Sequence, residues 1–246
     1  MTNHFQAIGF PVSSQDDFFR LAQRTFEEGQ HISIPQGHYV FWNVGQGIEL
    51  WGQVDQEGHF VGLNPHFSGR SRISMGLTSK IESPREDLDG AYYAWAGAQS
   101  GPEDGDYPVL FDCPDFLVHA RMLLPSIHRV QMAAFAHEVQ VFSDEAHYHG
   151  SQGQGVAFAA ESFIPSGLFG DQAQPYGMLT GVVLHAFTIT NPVTNQTFQH
   201  AVVRTLGGEY DVVIPPELLY AELQPGNIVQ GSFWLTGRIL GNQIIL

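Results

Sequence analysis

Short apolar runs, rich in aromatic and β-branched residues, follow one another along most of the chain. Turn-forming glycine, proline, asparagine and aspartate separate them, and their length and composition are those of β-strands. Such runs fill residues 37–67, 71–170 and 178–246, and residues 71–170 contain no long helical pattern. The sequence therefore predicts an α+β fold class that is mainly antiparallel sheet.

The first 67 residues contain the clearest helix signal. The segment SSQDDFFRLAQRTFEEG begins with serines that can cap a helix, continues with two aspartates in the first turn and ends at a glycine. Three strand-like runs follow, and the apolar run at residues 4–12 precedes the helix as a possible first strand, so the predicted order is βαβββ. The predicted buried stripe of the helix consists of Phe18, Leu21, Ala22, Thr25 and Phe26.

A break in the pattern at residues 170–177, GDQAQPYG, predicts a linker, because glycine and proline bracket a polar run there. We therefore predict two domains, residues 1–172 and 175–246. The second contains three strand-like runs, a short helix that starts at a proline and two more strand-like runs, the last at residues 242–246. This order is typical of a small OB-like β-barrel. Whether the two domains pack together stays open.

Charge and cysteine content restrict the compartment and the partners. Lysine and arginine number 10 and aspartate and glutamate number 25, so the formal charge is -15. This charge would repel nucleic acid and anionic membrane surfaces. The single cysteine, Cys113, cannot form an internal disulfide, and no signal-type N-terminus or long apolar segment is present. We expect a soluble cytoplasmic protein, and the sequence does not determine its oligomeric state.

Nucleophilic and cofactor-binding motifs are not recognisable in the sequence. Ser166 lacks the flanking glycines of a nucleophile elbow, and Cys113 lies between two aspartates that would raise the pKa of its thiol. No glycine-rich phosphate-binding loop is present. The sequence therefore predicts neither a catalytic residue nor a cofactor.

The candidate ligand-binding residues lie on two neighbouring strands. In a strand, Glu49 and Trp51 share one face, so that a carboxylate stands beside a large aromatic ring. His66 could join them from the next strand, with Asn64 as a polar orienting group. The alternative is that Glu49 faces solvent and that a backbone carbonyl satisfies His66.

The segment AHEVQVFSDEAHYHG, residues 136–150, contains three histidines and three carboxylates. His147 and His149 lie two residues apart, which is the spacing of a chelating pair on a strand. The nearby carboxylates precede the pair and a glycine-rich stretch follows it, which favours an exposed, mobile loop without metal. The alternative is a divalent metal bound by His147, His149 and Glu49.

The helix after AIGFPV, the strand with Tyr39 and the run GIELWGQVD together resemble one βαβββ module of the vicinal oxygen chelate (glyoxalase-like) superfamily. That superfamily often places a metal-binding carboxylate near the end of this strand. The resemblance covers residues 4–67 and implies Glu49 as a metal ligand.

Two functions of different classes are therefore predicted. The first is a binding or assembly protein without catalysis that recognises a protein partner or an uncharged small ligand, as its acidic charge and aromatic surface suggest. The alternative is a metal-dependent glyoxalase-like enzyme, of the lyase or dioxygenase type, that uses Glu49 with His66 or with the pair His147 and His149. A pocket with Glu49 and two histidines at metal-ligand distances would favour the enzyme.

Overall fold

A computed structural model describes residues 4–83, 88–153, 158–167 and 173–241 of the chain. Within these ranges the architecture is mainly sheet with two α-helices, which confirms the predicted α+β class. No helix in the described ranges has the length and apolar character needed to cross a membrane. The helices are α1 (Gln15–Glu28) and α2 (Glu145–Ser151), and the strands are β1 (Gln30–Ile34), β2 (Gly37–Gly45), β3 (Ile48–Asp55), β4 (Phe60–Phe67), β5 (Ile73–Glu82), β6 (Gly90–Ala96), β7 (Tyr107–Asp112), β8 (Ser126–Phe142), β9 (Ser162–Pro165), β10 (Tyr176–Thr190), β11 (Thr197–Thr205), β12 (Gly208–Ile214) and β13 (Ile228–Ile239).

Helix α1 begins and ends as predicted. The Ser14 hydroxyl accepts from the Asp17 backbone N–H at 3.1 Å, and the Asp17 carboxylate accepts from the Ser14 backbone N–H at 3.0 Å. This reciprocal cap satisfies two donors at the helix start. At the other end, the Gly29 N–H donates to the Thr25 carbonyl at 2.9 Å.

The predicted buried stripe of α1 is wrong at Phe26, which is 46% exposed. Thr25 occupies the centre of the inner face instead, and its hydroxyl donates to the Leu21 carbonyl at 2.9 Å. Thr25 lies over Gly52, where β3 offers no side chain, so the helix approaches the sheet closely at this small residue. Phe26 is one residue further around the helix and makes an edge contact with His31.

Residues 4–12, predicted as a first strand, contain a 3-10 turn at Gln6–Ile8. The turn ends at Gly9, whose φ of 79° is in the left-handed region that favours glycine. Asn191 Nδ2 donates to the Ile8 carbonyl at 2.9 Å, and the Thr194 hydroxyl donates to the Gly9 carbonyl at 2.6 Å. Side chains of a distant loop thus replace the strand partner that this segment was expected to have.

The strands form two sheets. Strands β1–β4 make an antiparallel sheet in sequential order. Helix α1 covers one face of it, where Leu21 and Ala22 join Ile48 and Leu50 in an apolar cluster. The other nine strands form one sheet in the order β11-β12-β8-β5-β6-β7-β13-β10-β9. Two of its pairings are parallel, β12 with β8 and β13 with β7, and the rest are antiparallel.

Two additional pairings, β11 with β10 and β8 with β13, close this sheet into two five-stranded rings. The first ring contains β5, β6, β7, β13 and β8, and the second contains β10, β11, β12, β8 and β13. Each ring starts with a three-stranded meander, and a 3-10 turn (Phe116–His119 or Pro216–Leu218) then leads into a long fourth strand. The fourth strand of each ring closes the other ring, parallel to its third strand. The chain therefore contains a structural repeat with exchanged strands.

Two matching segments, YPVLFDCPDFL at residues 107–117 and YDVVIPPELL at residues 210–219, show this repeat in the sequence. The hydroxyl oxygens of their first residues, Tyr107 and Tyr210, lie 2.9 Å apart in the core. Direct contact between equivalent residues is expected beside a local two-fold axis. The strand pairing is what makes this repeat clear.

The sequence left open whether residues 1–172 and 175–246 pack together. Strands from both ranges share the nine-stranded sheet and its largest core cluster. The second ring takes β8 as its closing strand, and the predicted strand at residues 242–246 lies outside the described residues.

Because Leu21 is on the buried face of α1 and Phe26 is not, truncating these two side chains should lower the free energy of unfolding by different amounts. Leu21→Ala should lower the free energy of unfolding by about 2–5 kcal/mol, because it removes a buried side chain. Phe26→Ala should cost less than about 1 kcal/mol, because its ring is nearly half exposed. Urea unfolding of both variants measures the difference, and equal losses would contradict this orientation of the helix.

Candidate functional site

A layer of polar side chains, all buried except the partly exposed Arg238, lies between the four-stranded sheet and strands β8 and β13. The first sheet contributes Glu49 and His66, and the shared strands contribute Gln131, Thr236 and Arg238. Glu49 and His66 are cross-strand partners, as are Trp51 and Asn64. The structure therefore brings the four predicted site residues onto one face of β3 and β4.

Glu49 is only 5% exposed, which excludes the solvent-facing alternative. Arg238 Nη1 donates to its two carboxylate oxygens at 3.1 and 3.3 Å, and Trp51 Nε1 donates to Oε2 at 3.2 Å. The Arg238 guanidinium also lies 4.7 Å from the centre of the Trp51 ring. Glu49 is thus bound within the protein by a cation and an indole.

Asp115 shares Arg238 with Glu49. Arg238 Nε donates to Asp115 Oδ2 at 3.3 Å, and His119 Nε2 lies 3.7 Å from the same oxygen. Burial raises the pKa of Asp115, but its contacts with His119 and Arg238 outweigh burial and lower that pKa. Cys113 donates to Asp115 from its thiol, and burial together with this carboxylate raises the pKa of Cys113 well above its usual value. The thiolate needed for nucleophilic catalysis is therefore disfavoured.

His66 has no exposed surface. Its Nε2 lies 2.6 Å from Gln131 Oε1, and its Nδ1 lies 3.2 Å from the Thr236 hydroxyl. Because an amide oxygen only accepts, Nε2 donates and Nδ1 accepts from Thr236. Burial lowers the pKa of His66 and keeps the ring neutral. Two side chains, and not a backbone carbonyl, satisfy this histidine.

Asn64 has a different partner from its neighbours. Its Nδ2 donates to Asp89 Oδ1 at 2.5 Å, and Gln53 Nε2 donates to the same oxygen. All four predicted residues therefore make polar contacts inside the protein. Their role in binding a ligand stays a prediction.

Gln131 extends the polar layer from His66 to Asp211. Its Nε2 donates to Asp211 Oδ2 at 3.0 Å and to the Phe67 carbonyl at 3.0 Å. The same amide group thus contacts His66 through its oxygen and Asp211 through its nitrogen. The layer is continuous from β13 to β12.

Asp211 is fully buried and accepts hydrogen bonds from four groups. Besides Gln131, the donors are His200 Nε2 at 2.8 Å, the Ser71 N–H at 2.7 Å and the Arg70 N–H at 3.0 Å. Burial raises the pKa of Asp211, but His200 and the backbone donors outweigh it and lower the pKa. Since His200 Nε2 faces a carboxylate, it carries the hydrogen, and Nδ1 has no hydrogen-bond partner among the described residues.

A cleft of about 520 Å³ opens beside His200, between the ends of β4 and β10. The Phe187 ring stacks on His200 at 5.7 Å, and the Arg70 guanidinium lies 5.4 Å from the Phe187 ring centre. Phe67 contacts the His200 ring at 4.5 Å. Asp211 fixes both the histidine and the backbone of residues 70–71, so the polar groups of the cleft are held from behind.

This cleft was missed in the sequence. Asp211 interrupts the apolar run YDVVI, and His200 shares one face of its strand with the apolar Phe198 and Val202, so a polar residue at an apolar position is the signal that could have identified them. Gly69 gives no such signal, although a Cβ at this position would overlap the Asp211 carboxylate.

The predicted loop at His147 and His149 is wrong, because both residues lie on α2. Asp144 caps this helix by accepting from the His147 N–H at 2.8 Å, and Tyr148 is buried. Residues two apart on a helix point in different directions, so the chelating geometry of a strand is lost. Part of the glycine-rich stretch, residues 154–157, lies outside the described residues.

Metal binding gains no support from these positions. Across the described part of the chain, no group of three or more histidine, cysteine, aspartate or glutamate side chains is arranged to hold a metal ion. Glu49 is paired with Arg238, and His66 with Thr236 and Gln131. The metal-dependent alternative stays a prediction.

The lowered pKa of Asp211 predicts a pH-dependent contribution to stability. A carboxyl group with a depressed folded-state pKa stabilises the fold above its unfolded pKa of about 3.9, and this contribution is lost as the pH falls below that value. Asp211→Asn should lower the free energy of unfolding at pH 6 by about 1–3 kcal/mol, because the amide leaves buried donors unpaired.

The difference in stability between the wild type and Asp211→Asn should shrink between pH 4 and pH 3. Urea unfolding at several pH values measures it. A difference that stays constant over this interval would contradict an ionised Asp211 in the fold.

Comparison with protein-family models, with curated proteins and with solved structures finds no match to this chain. The glyoxalase-like resemblance of residues 4–67 therefore stays a prediction.

Proposed function

We propose that this protein is a binding protein without catalytic activity and that it binds a small molecule in the cleft beside His200. The observation that carries the proposal is a preformed cleft whose histidine and whose Arg70 backbone are both fixed by the buried carboxylate of Asp211. Small-molecule sites are usually preformed, with a few placed polar groups among apolar side chains. The proposal keeps the expected cytoplasmic location.

The size of the cleft favours a small molecule over a protein partner. Its volume of about 520 Å³ lies within the range of about 300–1,000 Å³ that is typical of small-molecule sites. Phe67 and Phe187 supply the apolar surface, and Thr188, Arg70 and His200 supply polar groups. Contacts of both kinds bind and orient a ligand.

The place of the cleft in the second ring also supports a binding function. We propose that this ring is an OB-like barrel in which β8 takes the place of the fifth strand. The cleft lies where the first strand of the ring, β10, ends and includes His200 on the second, β11. OB barrels bind ligands near the loop between their first and second strands.

The whole-chain charge led to the expectation of an uncharged ligand, but the charge near the cleft is different. Among the described residues, the lining includes one arginine and one histidine and no carboxylate side chain. At physiological ionic strength, exposed charges more than about 8 Å away are largely screened. The local side chains therefore decide which ligand binds.

We expect planar fragments, screened as a mixture of neutral and charged compounds, to shift the backbone NMR signals of residues 68–70, 187–190 and 200. Phe187→Ala should weaken the binding of those fragments at least about fivefold, because it removes the ring that lines the cleft. Phe158→Ala is the matched control, since Phe158 has a similar exposure (44% against 39%) and does not line the cleft. Fragments that shift only residues elsewhere would contradict the proposal.

A further inference from the structure

We propose that the ligand of the His200 cleft carries a carboxylate, which Arg70 binds, and a hydroxyl or amine group, which donates to His200. This inference rests on the proposed function and narrows it to a chemical class. The two side chains present different chemistry, a cation with several donors and a ring nitrogen that accepts.

Arg70 has a fixed backbone and an exposed guanidinium over the Phe187 ring. Its backbone N–H is bonded to Asp211, and its guanidinium lies 5.4 Å from the Phe187 ring centre. Among the described residues, its side chain has no carboxylate partner. A guanidinium that stacks on a ring keeps its N–H edge free, and that edge matches the two oxygens of a carboxylate.

His200 supplies the acceptor. Its Nε2 donates to Asp211, and contacts with Phe67 and Phe187 restrict its ring. In the neutral ring, Nδ1 then has a free lone pair and accepts from a ligand O–H or N–H. A ligand that lacks this donor loses one hydrogen bond to a fixed partner.

The charge around the cleft differs from the charge around a second cleft in the described part of the chain. That cleft, of about 450 Å³, is lined by Asp55, Glu57, Glu82 and Asp89. The carboxylate of Asp211 lies behind the His200 cleft, but four N–H donors surround it and offset its charge. An anionic group is therefore favoured beside Arg70 and disfavoured at the acidic cleft.

The test uses three probes, 4-hydroxybenzoate, its neutral analogue 4-hydroxybenzamide, and benzoate, which lacks the donor. Each is titrated into the full-length protein, and binding is followed by the NMR shifts of residues 68–70, 187–190 and 200. We expect 4-hydroxybenzoate to bind more tightly than either other probe. Binding of 4-hydroxybenzoate should weaken as salt is added, because it includes a charge–charge contact.

Two variants assign the recognition to single residues. Arg70→Gln should weaken binding of 4-hydroxybenzoate at least about tenfold, equivalent to about 1.4 kcal/mol, and change binding of the amide less than twofold. His200→Phe should abolish the preference for 4-hydroxybenzoate over benzoate. Arg24→Gln is the matched control, because Arg24 also lies over an aromatic ring, at 5.3 Å from the Trp42 centre, and does not line the cleft.

The outcomes separate the inference from the function on which it rests. Equal binding of 4-hydroxybenzoate and 4-hydroxybenzamide, or an unchanged affinity of Arg70→Gln for 4-hydroxybenzoate, would overturn the inference that the ligand carries a carboxylate. The cleft would still be a binding site. If neutral fragments bind in the cleft and no carboxylate-containing compound does, the carboxylate inference is likewise overturned and the proposed function is kept. If neither the probes nor any fragment of the mixed screen shifts the cleft residues, the proposed function itself is wrong.

Discussion

The antiparallel pairing of β8 with β13 is the contact on which the rest of the structure depends. Each strand is the fourth strand of one ring and the closing strand of the other, so separating them opens both rings. The same two strands present Gln131, Thr236 and Arg238 to the first sheet. Ring closure, the position of the first sheet and the polar layer therefore all require this one pairing.

The polar layer makes the contact between the sheets specific. Buried polar groups are costly unless each finds a partner, and here Glu49, His66 and Asp211 all do. A shifted sheet would leave several of them unpaired at once, whereas an apolar contact would tolerate small shifts. The layer also ends at His200, so the groups that hold the first sheet in place support the proposed ligand cleft from behind.

The parts of the fold that depend on local chemistry were predictable. The caps of α1 and the strand runs follow from residues close together in the sequence. The predicted burial of Phe26 was wrong because the inner face of α1 is set by Gly52 on a distant strand, which leaves room for Thr25. The loop predicted at His147 and His149 was wrong because a short polar segment fits a loop and a helix equally well. The strand exchange and the bonds of Asp211 join residues far apart, and no local pattern encodes such pairings.

Native-state hydrogen exchange tests the central role of the β8–β13 pairing most directly. Amides of β8 and β13 should exchange only through global unfolding, and the amides of both meanders, β5–β7 and β10–β12, should become exposed in the same denaturant-dependent step as this pair. This result is expected because neither ring can close without a strand from the other. Complete exchange of residues 176–239 while residues 73–142 stay protected, or the reverse, would contradict it.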